Sequence, residues 1–462
     1  MNCVTMARVS AADAAELADA GAAGPATAVE VSRAELLPSV PLRDRLGYWA
    51  ERLYSSYEAP GGGSRLLPME GLRGLAVVLV LFVHYHAIFG GYLNSHTWAY
   101  KLSEFVAITG HSGVDLFFLL SGYLIYGALL RRETPYLDFI RRRAQRIYPT
   151  FLAVFACYLV LAFIFPQAGK VKSSLGGELV YILQNLFLLP GILDIVPIIT
   201  VAWSLSYEFV FYLSMPLLFK LTGMRGWSRR ARVAFISGWA LLYILSSFWS
   251  PHSRVRLMMF AVGALLAEAR GAGWLKIKLN RAAEVASVTL VVLGSVFLFL
   301  LETRRPWFSA LPGLYSGHIR ASGILINQGP WRVLTLGLCF FLFAACCFER
   351  NGFLARQFSW RPLRCLGNMS YSYYLVHGVT VKACMIALAF LWPGLQYTPA
   401  VYGGLFPAIF LATLVSSSIL FWAVEKPFSL VAKAKSPCPS LAEPSSGPLT
   451  RDLQGRVISF DR

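Results

Sequence analysis

The sequence predicts an all-α fold, a polytopic transmembrane bundle of about ten spans with one further short helix that is re-entrant or interfacial. The first observation is compositional. Of 462 residues, 56% are hydrophobic and only 14% charged, with a mean hydropathy of +0.56, whereas a soluble domain carries roughly 25% charged residues. The second is that apolar runs of about 20 residues, the length of a membrane-crossing helix, recur from position 68 to position 424. These runs are continuous rather than alternating, which argues against a β-barrel. The third is where the basic residues fall. Alternate connections (131–146, 220–232, 270–281, 350–364 and 426–435) hold 22 of them, and the intervening ones hold nine. That asymmetry follows the positive-inside rule and accounts for a net charge of +18 without a nucleic-acid partner.

Residues 1–65 form a tail with 6 basic and 8 acidic residues and no apolar signal-peptide core, so it is expected to stay cytoplasmic. Within it, "LRDRLGYWAERLY" (42–54) reads as a short amphipathic helix suited to a membrane surface. The membrane domain occupies 66–428, with spans near 68–90, 105–130, 147–165, 200–219, 233–249, 255–269, 283–301, 333–348, 367–392 and 400–424. The run 178–195 is the short re-entrant or interfacial helix, because a full crossing there would turn the basic 220–232 connection outward. Ten crossings leave both termini in the cytoplasm of a cell-membrane protein. Residues 429–462 are polar, rich in Pro and Ser, and expected to be disordered. Among the eight cysteines, Cys157, Cys339, Cys346, Cys347 and Cys384 sit in apolar runs and show no zinc or redox spacing.

Titratable groups inside apolar spans are costly and therefore informative. Arg73 and His84 lie eleven positions apart in "LRGLAVVLVLFVHYH", close to three helical turns and roughly 16 Å of rise, so both face the same way. Arg73 is expected near the cytoplasmic face, where it reaches either lipid headgroups or a ligand. His84 is expected deeper. His86 is turned about 200° from His84, so the two cannot close on one metal from a regular helix, and no metal site is expected. Asp115 is an acid in the next apolar run, with His111 one turn before it and within pairing reach. Arg143 and Arg146 share a helix face, where they serve as a topology signal or, as planar paired donors, as a phosphate site. Glu208 sits at mid-depth among Trp203, Ser204, Tyr207 and Tyr212, where an isolated carboxylate must be protonated or paired. Ser370, Tyr373, His377 and Lys382 fall along the ninth span.

These residues together resemble acyltransferase family 3, the integral membrane acyltransferases, over residues 66 to about 428. An arginine followed after ten residues by a histidine matches Arg73 and His84. "DLFFLLSGYL" (115–124) matches a family stretch that carries Asp115 and Ser121. Arg-x-x-Arg matches Arg143 and Arg146 before "IYP", and Trp-Ser-Leu…Glu…Tyr matches Trp203, Ser204, Leu205, Glu208 and Tyr212. "SYSYYLVH" ends in His377, and "EKP" (425–427) corresponds to the closing Glu-x-Pro. The resemblance implies transfer of an acyl group, often acetyl, from an acyl-CoA co-substrate to a hydroxyl of a carbohydrate or glycolipid-like acceptor. No permanently bound cofactor is implied. Some members carry a secreted esterase-like domain after the membrane part; with about 35 residues after Pro427, none is expected here.

On this reading a thioester is already activated, and the reaction needs a base, charge stabilisation and proximity. His84 is the expected base, its ordinary pKa of about 6.5 lying near operating pH; a transient acyl-imidazole is the other role open to it. Glu208 is expected to orient or polarise His84. Arg143, Arg146 and Arg73 are expected to hold the phosphates of CoA. Asp115, Ser121, Trp203, Tyr212 and His377 complete the candidate set. The alternative from another class is a proton-coupled transporter of an anionic or acylated solute, which buried Arg, His, Asp and Glu also fit. No inverted repeat with matching broken helices speaks for it.

Overall fold

A computed structural model of the chain describes residues 42–58, 66–165, 175–250, 254–273, 281–303, 329–349 and 351–430. The tail expected over 1–65 is described only at 42–58, and the disordered end expected over 429–462 only at 429–430, which are helical; the rest of both lies outside the described residues. The amphipathic helix expected over 42–54 is present as α1, Leu42–Tyr57, and forms a unit of its own.

From Glu58 onward the described residues are helical, with no strand among them. In chain order these are α2 (Leu67–Phe89), α3 (Trp98–Gly110), α4 (Ser112–Arg131), α5 (Tyr136–Ile164), α6 (Leu175–Leu186), α7 (Ala202–Thr222), α8 (Arg229–Ser247), α9 (Met258–Ala272), α10 (Arg281–Thr303), α11 (Gly329–Cys347), α12 (Phe353–Phe358), α13 (Arg361–Asn368), α14 (Ser370–Leu391) and α15 (Pro399–Leu420). A π-helical segment, Phe421–Leu430, continues α15. The chain is a multi-pass membrane protein. Among the described residues, seven stretches are long and apolar enough to cross a bilayer: Leu67–Tyr92, Trp98–Arg131, Tyr136–Ile164, Arg281–Thr303, Gly329–Cys347, Ser370–Leu391 and Pro399–Leu430.

That falls short of the ten expected. The predicted spans at 200–219, 233–249 and 255–269 are helices, but α9 has 15 residues where a crossing takes about 20. The α8 helix opens on Arg229, Arg230 and Arg232, and α7 carries a polar series around Glu208. The predicted span at 105–130 is two helices that meet at His111, where the chain leaves α3 and starts α4. The run 178–195 contains only the 12-residue α6. After it the backbone turns through Leu188 and Gly191, both at positive φ (55° and 89°).

The interior is built by close helix crossings. A Cβ on Gly263 of α9 would lie 2.0 Å from the Leu119 carbonyl of α4, and one on Gly122 of α4 would lie 2.2 Å from the Phe260 carbonyl of α9. Hydrogen in place of a side chain lets the two backbones touch, the usual device of helices packed without a hydrophobic drive between them. Phe260 then stacks between Phe118 and Phe211, with centroids 4.7 and 4.3 Å away. The α2 helix is held at its first turn: Glu70 pairs with Arg364 of α13 at 2.9 Å. This contact and the short Gly71 and Gly74 face against α12 and α13 set the height of Arg73 in the bundle. All six cysteines within the described residues are free thiols. Burial pushes the Cys365 thiol up to about 11, which leaves little reactive thiolate at neutral pH.

Candidate functional site

The apolar course of α2 carries Arg73 and His84 on one uninterrupted helix. At the Arg73 end, five helices enclose a cavity of about 130 Å³. Arg73 enters it from α2, Ser121 from α4, Arg143 and Arg146 from α5, Glu208 and Tyr212 from α7, and Tyr371 and Tyr374 from α14. The α5 helix starts at Tyr136 rather than near 147, so both arginines lie within the crossing helix.

Arg143 lies over the rings of Phe139 and Tyr212, 5.1 and 5.3 Å from their centroids. Such cation–π seats hold a guanidinium without consuming its hydrogen-bond donors. Arg146 lies 5.8 Å from the centre of the Tyr371 ring and forms an ion pair with Glu425 at 2.7 Å. Among the described residues neither Arg73 nor Arg143 has an ion-pair partner. Glu208 accepts a hydrogen bond from Ser121 Oγ at 2.9 Å and another from the Tyr212 hydroxyl. Three guanidiniums therefore face two carboxylates, which leaves the cavity with an excess positive charge.

Glu425 escaped the candidate set, although "EKP" marked its place. It is fully buried, and its Oε2 accepts from the Ser372 backbone N–H at 3.0 Å and the Ser372 hydroxyl at 2.6 Å. A carboxylate in the first turn of α14 also meets the positive end of that helix. Glu425 thus ties Arg146 to the start of the helix that carries His377.

Further along α2 the His84 ring meets the His377 ring edge to face, with centroids 4.7 Å apart. His377 is fully buried. Its Nδ1 lies 3.2 Å from the Tyr373 carbonyl, which can only accept, so Nδ1 carries the proton. Among the described residues the Nε2 lone pair is buried without a hydrogen-bond partner. Tyr374 joins this pair to the arginine cavity: it lines the cavity, its ring centre is 5.9 Å from that of His377, and its hydroxyl is 2.7 Å from Ser204 Oγ. His84 itself is partly exposed and lines neither of the two cavities around it.

Two expected contacts are corrected. Glu208 was expected to orient His84, but its described hydrogen bonds go to Ser121 and Tyr212. Asp115 was expected to pair with His111. Instead its two oxygens take Arg256 Nε at 2.8 Å and Arg332 Nε at 2.9 Å, and a second Arg256 donor reaches the His111 carbonyl at 3.0 Å. Two guanidiniums satisfy a buried carboxylate better than a neutral ring does. Arg256 also sits 5.0 Å over the Trp203 ring, which gives Trp203 its place. Both arginines had counted only as connection charges in 249–256 and 302–332. Arg256 in fact stands in the turn just before α9 and Arg332 in the first turn of α11, where an arginine beside an apolar run was the available signal. His86 faces away from His84, with Nδ1 2.8 Å from Ser103 Oγ.

The family model described as "Acyltransferase domain" matches residues 68–422. Among curated proteins, the chain is 29% identical to the provisionally named peptidoglycan O-acetyltransferase YrhL of Bacillus subtilis (strain 168), over 68% of this chain and 48% of that one. It is 23% identical to O-acetyltransferase OatA of Staphylococcus aureus (strain NCTC 8325 / PS 47), over 71% of this chain and 51% of the relative. It is 25% identical to Acyltransferase MdmB of Streptomyces mycarofaciens, over 74% of this chain and 86% of the relative. The chain thus spans about half the length of the first two. No solved structure matches it. With the motif arginines gathered in one cavity, two motif histidines ring to ring, and a family match over nearly the whole membrane domain, the chain belongs to acyltransferase family 3, the integral membrane acyltransferases.

Proposed function

We propose that the protein is a membrane O-acyltransferase that moves an acyl group, acetyl in the simplest case, from acyl-CoA to a hydroxyl of a carbohydrate or similar acceptor. The observation that carries this reading is that one helix, α2, runs from the arginine cavity at Arg73 to the imidazole pair that its His84 forms with His377 of α14. Arg73 and Arg143 have donors to offer an anion, and Arg146 adds a third positive charge. At about 130 Å³ the cavity is well below the roughly 300–1,000 Å³ of a site that encloses a whole small molecule. It suits a slender arm, with the nucleotide diphosphate held at its mouth. The rise from Arg73 to His84, roughly 16 Å, is comparable with a pantetheine arm. The arginine end then faces the cytoplasm of a cell membrane, as do both chain ends.

In the transfer, the acceptor hydroxyl oxygen attacks the thioester carbonyl. The new C–O bond forms, the C–S bond breaks, and CoA leaves as thiolate. His84 takes the hydroxyl proton and passes it to the departing sulfur. In the variant route through an acyl-imidazole, the same ring carries the acyl group between donor and acceptor. His377, turned by the Tyr373 carbonyl so that Nε2 is bare, positions the His84 ring. Names of the relatives support acetyl as the group and a peptidoglycan sugar as one acceptor.

The test uses purified full-length protein in detergent, where acyl transfer can be followed and net transport cannot. Acetyl transfer from acetyl-CoA is expected, and Arg143→Ala should raise the KM for acetyl-CoA about tenfold, the loss of one charge-assisted contact. A wild-type protein that transfers no acyl group overturns the reading, and an unchanged KM removes Arg143 from the donor site.

A further inference from the structure

Six residues with hydroxyl groups line the arginine cavity, and five of them are engaged within the protein. Ser121 and Tyr212 donate to Glu208, Ser204 and Tyr374 share a hydrogen bond at 2.7 Å, and Tyr371 donates to the Ile147 carbonyl at 2.8 Å. Ser370 is the exception. It is 1% exposed, and among the described residues its hydroxyl has no hydrogen-bond partner. Other buried hydroxyls on α14 and α15 do find one. Ser372 donates to Glu425 at 2.6 Å, and Thr413 and Ser418 donate to the carbonyls of Ile409 and Leu414 at 2.7 and 2.8 Å. A buried polar group without a partner is costly, so a bare hydroxyl on a cavity wall points to a ligand atom that completes it.

The height of Ser370 in the bundle selects the atom. Ser370, Tyr374 and His377 follow the i, i+4, i+7 spacing that places them on one face of α14. His377 meets His84, so Ser370 lies seven residues, roughly 10 Å of rise, below the imidazole pair. A Cβ on Gly367, just before α14, would lie 1.7 Å from the Glu70 carbonyl oxygen, so the chain enters α14 beside the turn of α2 that carries Arg73. In an extended pantetheine thioester the pantoyl amide carbonyl is eight bonds from the sulfur, roughly 10 Å at about 1.2 Å per bond. Five more bonds, roughly 6 Å, reach the phosphate. A thioester at His84 therefore sets that carbonyl level with Ser370 and the phosphate level with Arg73, roughly 16 Å from His84. We infer that Ser370 is a donor-binding residue whose hydroxyl donates to the pantoyl amide carbonyl, so that the cavity reads the pantetheine arm as well as the phosphates. The inference rests on the acyl-CoA reading and adds to it a residue and the part of the donor that it recognises.

The experiment uses full-length protein in detergent and three probes: coenzyme A, pantetheine, and adenosine 3′,5′-bisphosphate, which is the nucleotide end without the arm. Calorimetry gives each Kd, tryptophan fluorescence gives the Tm, and acetyl transfer from acetyl-CoA is followed in parallel. Ser370→Ala should weaken coenzyme A and pantetheine by about fivefold each, the loss of one hydrogen bond, and leave the bisphosphate unchanged. Arg143→Ala should weaken coenzyme A and the bisphosphate and spare pantetheine. Because the hydroxyl has no partner in the protein alone, Ser370→Ala without ligand should melt no lower than the wild type. Coenzyme A held equally well by Ser370→Ala overturns the assignment of Ser370 and leaves the transferase reading standing. A lowered Tm with unchanged Kd values does the same and marks the hydroxyl as structural. Weakened pantetheine binding in a protein whose wild type transfers no acetyl supports the arm contact and overturns the transferase reading. A wild-type protein that binds none of the three probes overturns both.

Discussion

The His84 ring on α2 and the His377 ring on α14 meet edge to face, with centroids 4.7 Å apart and planes at 69°. They are nearly three hundred residues apart in sequence. The contact exists because α2 and α14 pack together, and because His377 is buried and hydrogen-bonded to the Tyr373 carbonyl. A buried ring with one nitrogen fixed has one orientation left to it, and His84 packs against that ring.

If His377 positions His84, His377→Gln should lower kcat while leaving the donor KM nearly unchanged. A fall of about 10²-fold is expected, the lower range for losing a well-placed acid–base group. Steady-state kinetics on protein normalised for folded content separates this from a structural effect, which would reduce the amount of folded protein with kcat intact.

Glu425 should matter for stability as well as for the site. Glu425→Ala leaves Arg146 without its partner and the Ser372 N–H of α14 unsatisfied. Breaking a fully buried pair costs about 3–5 kcal/mol. The Arg146 side chain is 24% exposed, so about 2–3 kcal/mol is expected after allowing for solvent. Thermal unfolding in detergent, followed by tryptophan fluorescence, should show a lowered Tm. The double variant Glu425→Gln/Arg146→Met should recover part of it.

The Asp115 cluster has no such discount, because Asp115, Arg256 and Arg332 side chains are 1%, 4% and 7% exposed. Asp115→Asn should therefore cost about 3–5 kcal/mol and reduce the yield of folded protein. Adding Arg332→Met to Asp115→Asn should restore folded yield in part, since it removes one of the two charges that Asp115 had held; gel-filtration recovery after solubilisation reads the difference.

What could be read from the sequence was what lies on one helix. The Arg73–His84 relationship needs only the helical repeat, and Arg143 with Arg146 likewise; the three arginines do meet in one cavity, whereas His84 lines neither cavity. The partners of Asp115 and Glu208 come from other helices, and spacing along a chain carries no distance between helices. His111 looked like the partner of Asp115 because it is one turn away, yet Arg256 from the turn before α9 and Arg332 from α11 win on charge. The expected ten spans are not reached where apolar runs are short or mixed with polar residues, as in α7 to α9, because length and composition alone do not mark those helices as crossings. Glu425 was quoted within a motif and passed over, because nothing in "EKP" alone reveals that its carboxylate reaches Arg146.

Single-turnover transfer of labelled acetyl from acetyl-CoA by purified His84→Ala protein, beside the wild type, tests the central claim most directly. The account predicts a loss of about 10²–10⁴-fold with folding and detergent behaviour unchanged. Turnover within a few-fold of wild type would contradict it, and the imidazole on α2 would then be a structural neighbour of His377 and nothing more.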